Sequence, residues 1–169
     1  GYTIPLVYTQ PPSKSNRGHK VSKSPIHKFC EENNLKVRTP ENFKNLDDEK
    51  NILKKLEADI AIVVAYGQIL PKGILHVCKK GFINIHASLL PKLRGAAPIQ
   101  RSIMNLDNET GISIMKINEK LDQGKVYSQY KININKYDNA EDLSLKLSNL
   151  AAKKIVDDIE GIFENKKKF

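Results

Sequence analysis

Apolar residues along this chain fall into short runs that alternate with longer amphipathic stretches. Runs rich in Val, Ile and aromatic residues predict strands at about 4–9, 35–40, 59–67 and 82–87. Stretches with apolar residues three or four positions apart predict helices at about 25–34, 47–58, 73–81, 96–105 and 139–163. Ser24 before Pro25, and Asn139 before two acidic residues, predict where two of these helices begin. Strands that alternate with helices are typical of an α/β domain with a mainly parallel sheet.

The strand patterns differ in the burial that they predict. Residues 59–67, "DIAIVVAYG", are apolar almost throughout, as expected for a strand buried on both faces of a parallel sheet. Residues 111–117 and 126–134 instead alternate polar and apolar positions, which favours an antiparallel pair joined through 118–125. With 169 residues and 40% hydrophobic content, the chain is long enough for one domain over 1–169.

Several classes of protein are disfavoured by the sequence. The longest apolar run falls far short of the ~20 residues that cross a bilayer, and no basic segment followed by an apolar one opens the chain. Cys30 and Cys78 stand far apart without a CxxC pair, so neither a zinc site nor a disulfide framework is predicted. The motifs GxSxG, GxxxxGK(S/T) and GxGxxG are missing, which disfavours serine hydrolysis, nucleotide hydrolysis and dinucleotide binding. A reducing, cytoplasmic setting fits best, and no metal is expected.

The balance of charge favours a polyanionic partner, since the net charge is +9 at pH 7. Lys is the default cation, because only four of the 28 basic residues are Arg. We therefore hypothesise that Arg is retained where planar, bidentate donors are needed. Residues 11–25 contain no acid, and their basic side chains are Lys14, Arg17, His19, Lys20 and Lys23. Such a segment is either a solvated surface loop or a contact for nucleic acid.

Asn84, His86 and Asp122 form the candidate chemical site. Asn84 and His86 are two positions apart in a predicted strand, so their side chains leave the same face near its carboxyl end, where parallel sheets bind ligands. Asp122 lies in the turn "KLDQGK", from which a carboxylate could stabilise and orient a protonated His86. Two donors to an oxyanion and one proton acceptor suit acyl transfer to an external nucleophile. The alternatives are a structural histidine and an Asx turn.

Three segments resemble the formyltransferases that use 10-formyltetrahydrofolate. They are "DIAIVVAYGQILP", "NIHASLLPKLRGAAPIQRSI" and "ETGISIMKINEKLDQGKVY", which keep the family's order and approximate spacing. A fourth, "YTQPPSKSNRGHK", resembles a strand and basic loop of the branch that formylates methionyl-tRNA. The resemblance covers nearly the whole chain. It implies the doubly wound, Rossmann-like formyltransferase fold and transfer of a formyl group to the α-amino group of initiator methionyl-tRNA, for translation initiation.

The resemblance also assigns residues to tasks. The family's catalytic residues fall on Asn84, His86 and Asp122. Contact with the folate donor, 10-formyltetrahydrofolate, falls on Ser88, Leu89, Leu90, Pro91, Tyr66, Gly67, Ile69 and Leu70. The basic segment would contact the acceptor end of the tRNA through Lys14, Arg17 and Lys20.

The sequence departs from the family at both ends. The family's first strand and helix, and its C-terminal tRNA-binding domain, have no counterpart here, so we expect a catalytic domain truncated at both ends. Loss of a central strand would leave backbone groups unpaired. We therefore expect this chain to be marginal in stability or inactive. We also expect a monomer, in a bacterial cytoplasm or an organellar matrix.

Other functions are compatible with parts of the pattern. Formyltransferases that act on glycinamide ribonucleotide or on UDP-amino sugars carry a similar Asn, His and Asp set, and the same set could release formate from the donor. The basic segment and "RGAAPIQ" favour the tRNA branch. A non-catalytic RNA-binding module would need only the basic segment, but the chain lacks the aromatic stripe on which single-strand binders stack bases.

Overall fold

The computed structural model describes residues 1–15, 20–43 and 46–165 and, within those ranges, all side chains except those of 14, 15, 20 and 46. The chain forms two compact units. The first comprises Gly1–Ala58 and Tyr66–Val77, and the second comprises Asp59–Ala65 and Cys78–Phe169. That 1–169 acts as one catalytic domain stays a prediction.

Within the described ranges, the first unit contains two small pairs of strands and two α-helices. Strand β1 (Val7–Tyr8) pairs in parallel with β4 (Val37–Arg38), and β2 (Ser13–Ser15) pairs antiparallel with β3 (Lys20–Ser22). The helices are α1 (Pro25–Glu32) and α2 (Leu46–Lys55).

The predicted start of α1 is confirmed. Pro25 is its first residue, and the Ser24 side chain accepts a hydrogen bond from the His27 N–H at 3.0 Å. This bond satisfies one of the backbone donors that the first turn of a helix leaves unpaired.

Glu49 links three elements of the first unit. Its carboxylate accepts a hydrogen bond from the Tyr8 hydroxyl of β1 at 2.7 Å and one from Arg38 Nη2 of β4 at 2.7 Å. Glu49 itself lies on α2 and is buried. Because a buried carboxylate requires compensating donors, this cluster fixes α2 against the β1–β4 pair.

Two predictions for the first part of the chain were wrong in detail. The basic segment 11–25 is not a simple loop, since β2 and β3 form an antiparallel ribbon within it. Its strands carry Ser and Lys at most positions and give no apolar alternation to recognise. The helix predicted at 73–81 is replaced by a single 3-10 turn at Lys72–Ile74. So short a segment gains too few backbone hydrogen bonds to offset the cost of helix nucleation.

The second unit is built on a four-stranded sheet with the order β5-β6-β7-β8. The strands are β5 (Ala61–Val64), β6 (Phe82–His86), β7 (Glu109–Lys116) and β8 (Val126–Asn133). Strands β5 and β6 are parallel, whereas β6–β7 and β7–β8 are antiparallel. The antiparallel pair predicted from residues 111–117 and 126–134 is therefore confirmed.

Two helices complete the second unit, α3 (Pro98–Met104) and α4 (Ala140–Phe163). Asn139 caps α4 as predicted, and its backbone N–H in turn donates to Asp142 at 3.1 Å, which forms a capping box. No helix within the described ranges is long and apolar enough to cross a membrane.

The core of the second unit lies between β6, β7 and α4. Its buried members are Ile83, Ile85, Ile112, Ile114, Leu143, Leu147 and Ile162. Because neighbouring residues of a strand point to opposite faces, packing of Ile83 and Ile85 in this core directs Asn84 and His86 to the other face of β6.

Strand β5 is less buried than predicted. Ile62 and Val64 are 37% and 57% exposed, although an apolar strand covered on both faces was expected. Strand β5 lies at one end of the strand order, and its intermediate positions alternate with exposed ones. An end strand of a sheet is covered less than a central one, so its apolar composition alone did not determine its burial.

Candidate active site

Strand β6 carries two of the three candidate catalytic residues at its carboxyl end. Asn84 lies opposite Met115 of β7, and His86 lies opposite Ser113. Both belong to the face of the sheet that points away from the core formed with α4. The strand therefore fixes the spacing between the two side chains.

His86 is held between a backbone carbonyl and a carboxylate. Its Nε2 lies 2.9 Å from the Leu93 carbonyl oxygen, and its Nδ1 lies 3.7 Å from Asp122 Oδ2. The His86 side chain is only 7% exposed. Each ring nitrogen thus faces an oxygen acceptor, and the ring must exchange one of these partners before that nitrogen can donate to a substrate.

Asp122 joins the two strand residues. One carboxylate oxygen accepts a hydrogen bond from Asn84 Nδ2 at 3.5 Å, and the other accepts the Gly95 N–H at 2.8 Å. The backbone of Asp122 has a φ of +47°, in the left-handed region that Asp adopts more readily than most residues. The structure therefore brings Asn84, His86 and Asp122 together, as the sequence predicted, although their roles stay predictions.

Gly124 explains why the turn that carries Asp122 lies so close to β7. A Cβ at this position would lie 1.6 Å from the Lys116 carbonyl oxygen, so no other residue fits without moving the turn. The Lys116 N–H also donates to the Lys125 carbonyl at 2.9 Å. These contacts place Asp122 relative to the end of the sheet.

The turn after β6 contains the residues assigned to the folate donor by resemblance. Ser88 and Leu90 are buried, and Leu89 is half-buried. The Ser88 hydroxyl donates to the Lys92 carbonyl at 2.6 Å, and the Leu90–Pro91 peptide is cis. Because its hydroxyl bonds to the Lys92 carbonyl of the same turn, Ser88 stabilises the conformation of this turn.

The other residues assigned to the folate donor belong to the first unit. Ile69 is 88% exposed, Tyr66 and Leu70 are half-buried, and Gly67 has a φ of +76°. The Tyr66 hydroxyl is buried and has no hydrogen-bond partner among the residues that the structure describes. Their assignment to a folate contact stays a prediction.

The residues assigned to tRNA fall in and around the β2–β3 ribbon. Lys14 pairs with Val21, and Ser15 pairs with Lys20, so both lysines belong to its strands. Arg17 lies outside the described residues.

Four residues near the site were not found from the sequence. Leu93 and Gly95 act through backbone atoms, and residue identity does not indicate which partners those atoms contact. Ser113 and Gln129 act through side chains that hydrogen-bond to the turn after β6. Ser113 lies opposite His86, and Gln129 lies opposite Ser113. These positions could have identified both residues if the register of β6, β7 and β8 had been known.

A metal-binding cluster is not found among the described residues, since no three His, Cys, Asp or Glu side chains converge there.

Comparison of the sequence with known proteins shows the family of this chain. The family profile described as Formyl transferase matches residues 2–159. The methionyl-tRNA formyltransferase of Pelagibacter ubique (strain HTCC1062) is 61% identical over 168 residues, which cover 99% of this chain and 54% of that protein. The methionyl-tRNA formyltransferase of Ehrlichia ruminantium (strain Gardel) is 44% identical over 161 residues, which cover 95% of this chain and 53% of that protein. The chain thus spans about half the length of these curated relatives.

A solved structure agrees on the fold. The phosphoribosylglycinamide formyltransferase from Anaplasma phagocytophilum matches with a TM-score of 0.83 at 17% identity, covering 99% of this chain and 78% of that chain. This likeness confirms the predicted α/β formyltransferase fold. Because the family profile matches residues 2–159 of its 169 residues, the chain belongs to the formyl transferase family.

Proposed function

We propose that this chain carries the catalytic site of an enzyme that transfers a formyl group from 10-formyltetrahydrofolate to the α-amino group of initiator methionyl-tRNA. The observation that carries the proposal is the carboxylate of Asp122 beside both Asn84 and His86 at the end of β6. The choice of substrate is supported by the relatives named methionyl-tRNA formyltransferase, which are 61% and 44% identical to this chain.

Asn84 and His86 stabilise the charge that develops during transfer. The neutral α-amine of the methionine attacks the formyl carbon, a C–N bond forms, and the formyl oxygen becomes negatively charged. The Asn84 amide donates a hydrogen bond to this oxygen, and a protonated His86 donates a second after exchanging one of its present partners. Because strand β6 fixes the spacing of the two side chains, their hydrogen bonds to this oxygen favour the charged intermediate over the ground state.

Asp122 acts as the acceptor, and then as the donor, of the proton that the amine loses. It accepts the amine proton directly or through a water molecule, and its negative charge supports the His86 cation. The proton then passes to the nitrogen of the donor as the bond between that nitrogen and the formyl carbon breaks. Tetrahydrofolate leaves, and Asp122 returns to its carboxylate form, so that one formyl group and one proton have changed places.

The two substrates are assigned to residues by resemblance. The donor is assigned to residues within 66–70 of the first unit and to 88–91 of the second, and each segment carries apolar side chains of the kind that suits a flat heterocycle. The tRNA is assigned to Lys14, Arg17 and Lys20. We place the reaction in a bacterial cytoplasm or organellar matrix, with a monomeric enzyme.

The test is a formyl-transfer assay on the full natural chain with 10-formyltetrahydrofolate and three acceptors. Methionyl-tRNA is expected to be formylated, whereas uncharged tRNA and glycinamide ribonucleotide are not. The variant Asn84→Ala should lose about 10²-fold in turnover, because one oxyanion donor is removed. The matched variant Asn105→Ala, at an exposed position after α3, should keep full turnover. Preferred formylation of glycinamide ribonucleotide, or full turnover by Asn84→Ala, would contradict the proposal.

A further inference from the structure

Three polar residues form one row across the sheet of the second unit. His86 of β6 lies opposite Ser113 of β7, and Ser113 lies opposite Gln129 of β8. Residues that face each other in antiparallel strands direct their side chains to the same side of the sheet. Ser113 and Gln129 are therefore on the face that carries His86.

The Ser113 hydroxyl uses its whole hydrogen-bonding capacity on this face. It donates to the Ser88 carbonyl at 2.6 Å, and it accepts the Leu90 N–H at 3.0 Å and Gln129 Nε2 at 2.9 Å. Two of these three partners are backbone groups of the turn after β6. Ser113 is fully buried, so each bond replaces a contact with water that the group has lost.

Gln129 extends the same network. Its side-chain amide donates to the Leu90 carbonyl at 2.8 Å and to the Ser113 hydroxyl at 2.9 Å, so both hydrogens of the amide are used. Both backbone polar groups of Leu90 are thereby bound from β7 and β8. The turn at 88–92 begins only two residues after His86 and is thus anchored to the two strands beside it.

We propose that Ser113 and Gln129 are positioning residues that hold the turn at 88–92 in the conformation that binds the folate donor. The inference rests on the proposed function, because it takes this turn as part of the donor site. Ser113 accepts the Leu90 N–H and Gln129 donates to the Leu90 carbonyl, so the two side chains together fix both backbone polar groups at the centre of this turn. The consequence is that the two residues determine affinity for the folate without touching the reacting atoms.

The primary test measures two constants in the full natural chain: the dissociation constant for tetrahydrofolate and the Michaelis constant for the formyl donor. Ser113→Ala and Gln129→Glu should each raise both constants by about tenfold, because each removes hydrogen bonds to the turn. The value of kcat at saturating donor should change much less, since Asn84, His86 and Asp122 are untouched. Gln129→Glu is nearly the same size as the natural residue but lacks the two N–H donors.

Two further variants separate positioning from a general loss of stability. Ser102→Ala removes another fully buried serine hydroxyl, which donates only to the Ile99 carbonyl of its own helix at 2.8 Å, and it should leave both constants unchanged. Ser113→Thr keeps the hydroxyl and should restore most of the affinity. The double variant of Ser113→Ala and Gln129→Glu should raise the dissociation constant for tetrahydrofolate by less than the product of the two single-variant factors. The reason is that the two side chains belong to one hydrogen-bond network.

Some outcomes overturn the inference. It fails if Ser113→Ala and Gln129→Glu bind tetrahydrofolate as the natural protein does, or if they change affinity no more than Ser102→Ala. It also fails if the natural protein binds no tetrahydrofolate. If the natural protein binds tetrahydrofolate but does not formylate methionyl-tRNA, the proposed acceptor is wrong, and the positioning role is still decided by the binding data.

Discussion

Asp122 is the residue on which the geometry of the site depends most. Its carboxylate faces Asn84 Nδ2, His86 Nδ1 and the Gly95 N–H, and its side chain is 12% exposed. We predict that Asp122→Asn lowers kcat by about 10²-fold or more, because the amide can neither accept a proton nor balance an imidazolium. Asn also adopts positive φ readily, so the turn should keep its conformation. Single-turnover formylation of methionyl-tRNA measures the effect.

An exposed carboxylate of the same unit provides the control for this variant. Asp157→Asn removes one negative charge from α4 and should leave kcat unchanged. The thermal unfolding temperature of both variants should stay close to that of the natural protein. Equal kcat values for Asp122→Asn and Asp157→Asn would remove Asp122 from the mechanism.

Glu49 and Tyr8 make the stability of the first unit depend on pH in opposite directions. Burial raises the pKa of Glu49, but the hydrogen bonds from Arg38 and Tyr8 lower it by more, so its pKa lies below its usual range. Burial, followed by the hydrogen bond to Glu49, raises the pKa of Tyr8 well above its usual range. The stabilisation from Glu49 is therefore lost as the pH falls through its folded-state pKa. That from Tyr8 is present below about pH 10 and is lost as the pH rises above it.

The variant Glu49→Gln tests this cluster. We predict that it lowers the free energy of unfolding by about 1–2 kcal/mol near neutral pH, because the buried side chain at position 49 loses the charge that strengthens its hydrogen bond from the partly exposed Arg38. The difference from the natural protein should shrink at about pH 3, where Glu49 of the unfolded chain is protonated. Urea unfolding at the two pH values measures both effects. A difference of the same size at both, or an equal loss in the exposed control Glu41→Gln, would contradict the prediction.

At the scale of elements, α4 and β8 approach each other closely at Gly161. A Cβ there would lie 2.3 Å from the Tyr127 hydroxyl oxygen and 3.5 Å from Tyr127 Cζ. Tyr127 packs against the core of the second unit, so its ring cannot retreat without disturbing that core. We predict that Gly161→Ala lowers the free energy of unfolding by about 1–3 kcal/mol, even though Ala is the better helix former.

A second substitution shows whether the Tyr127 hydroxyl causes this loss. In a Tyr127→Phe background, the nearest remaining ring atom lies at the ordinary contact distance of 3.5 Å. Gly161→Ala should then be neutral, or stabilising by up to about 1 kcal/mol, because Ala restricts the unfolded chain more than Gly. Urea unfolding of the four proteins gives the comparison. An equal loss in both backgrounds would place the cause elsewhere in α4.

The elements that could be predicted from sequence are those with local signals. Ser24 and Asn139 indicate the start of their helices through side chains that bond to the next turn, and the alternation of polar and apolar residues in β7 and β8 predicted their antiparallel pairing. The alternation did not reveal that β7 is buried on both faces. The β2–β3 ribbon has no such signal, because Ser and Lys dominate both of its strands. The exposure of Ile62 and Val64 depends on the place of β5 in the strand order, which its own residues do not encode.

At the scale of the whole molecule, the candidate site shows what a sequence can and cannot identify. Asn84 and His86 could be paired because strand periodicity places them on one face, but Asp122 is 38 positions from Asn84 and was associated with them by chemistry and resemblance. The carbonyl of Leu93 and the N–H of Gly95 are backbone groups, and the kind of residue at these positions does not show which partner such a group contacts. Their participation follows from the path of the chain and required the structure.

The net charge of +9 leads to a prediction about salt. If Lys14, Arg17 and Lys20 each neutralise one phosphate, the dissociation constant of methionyl-tRNA should rise by at least about tenfold between about 50 and about 200 mM salt. The constant for tetrahydrofolate should change far less, since the residues assigned to the folate donor carry no charge. Filter binding of radiolabelled methionyl-tRNA to the full natural chain measures the slope of log affinity against log salt concentration.

Two variants of the basic segment separate the contribution of charge to tRNA binding from that of side-chain geometry. Lys14→Ala removes one cation and should reduce the slope of log affinity against log salt by about 1. Arg17→Lys keeps the cation, so the slope should not change, but the loss of a planar, bidentate donor should weaken binding by about tenfold at every salt concentration. If Arg17→Lys instead binds as tightly as the natural protein, Arg17 acts only as a point charge. The scarcity of Arg in this Lys-rich chain would then have no bearing on tRNA recognition.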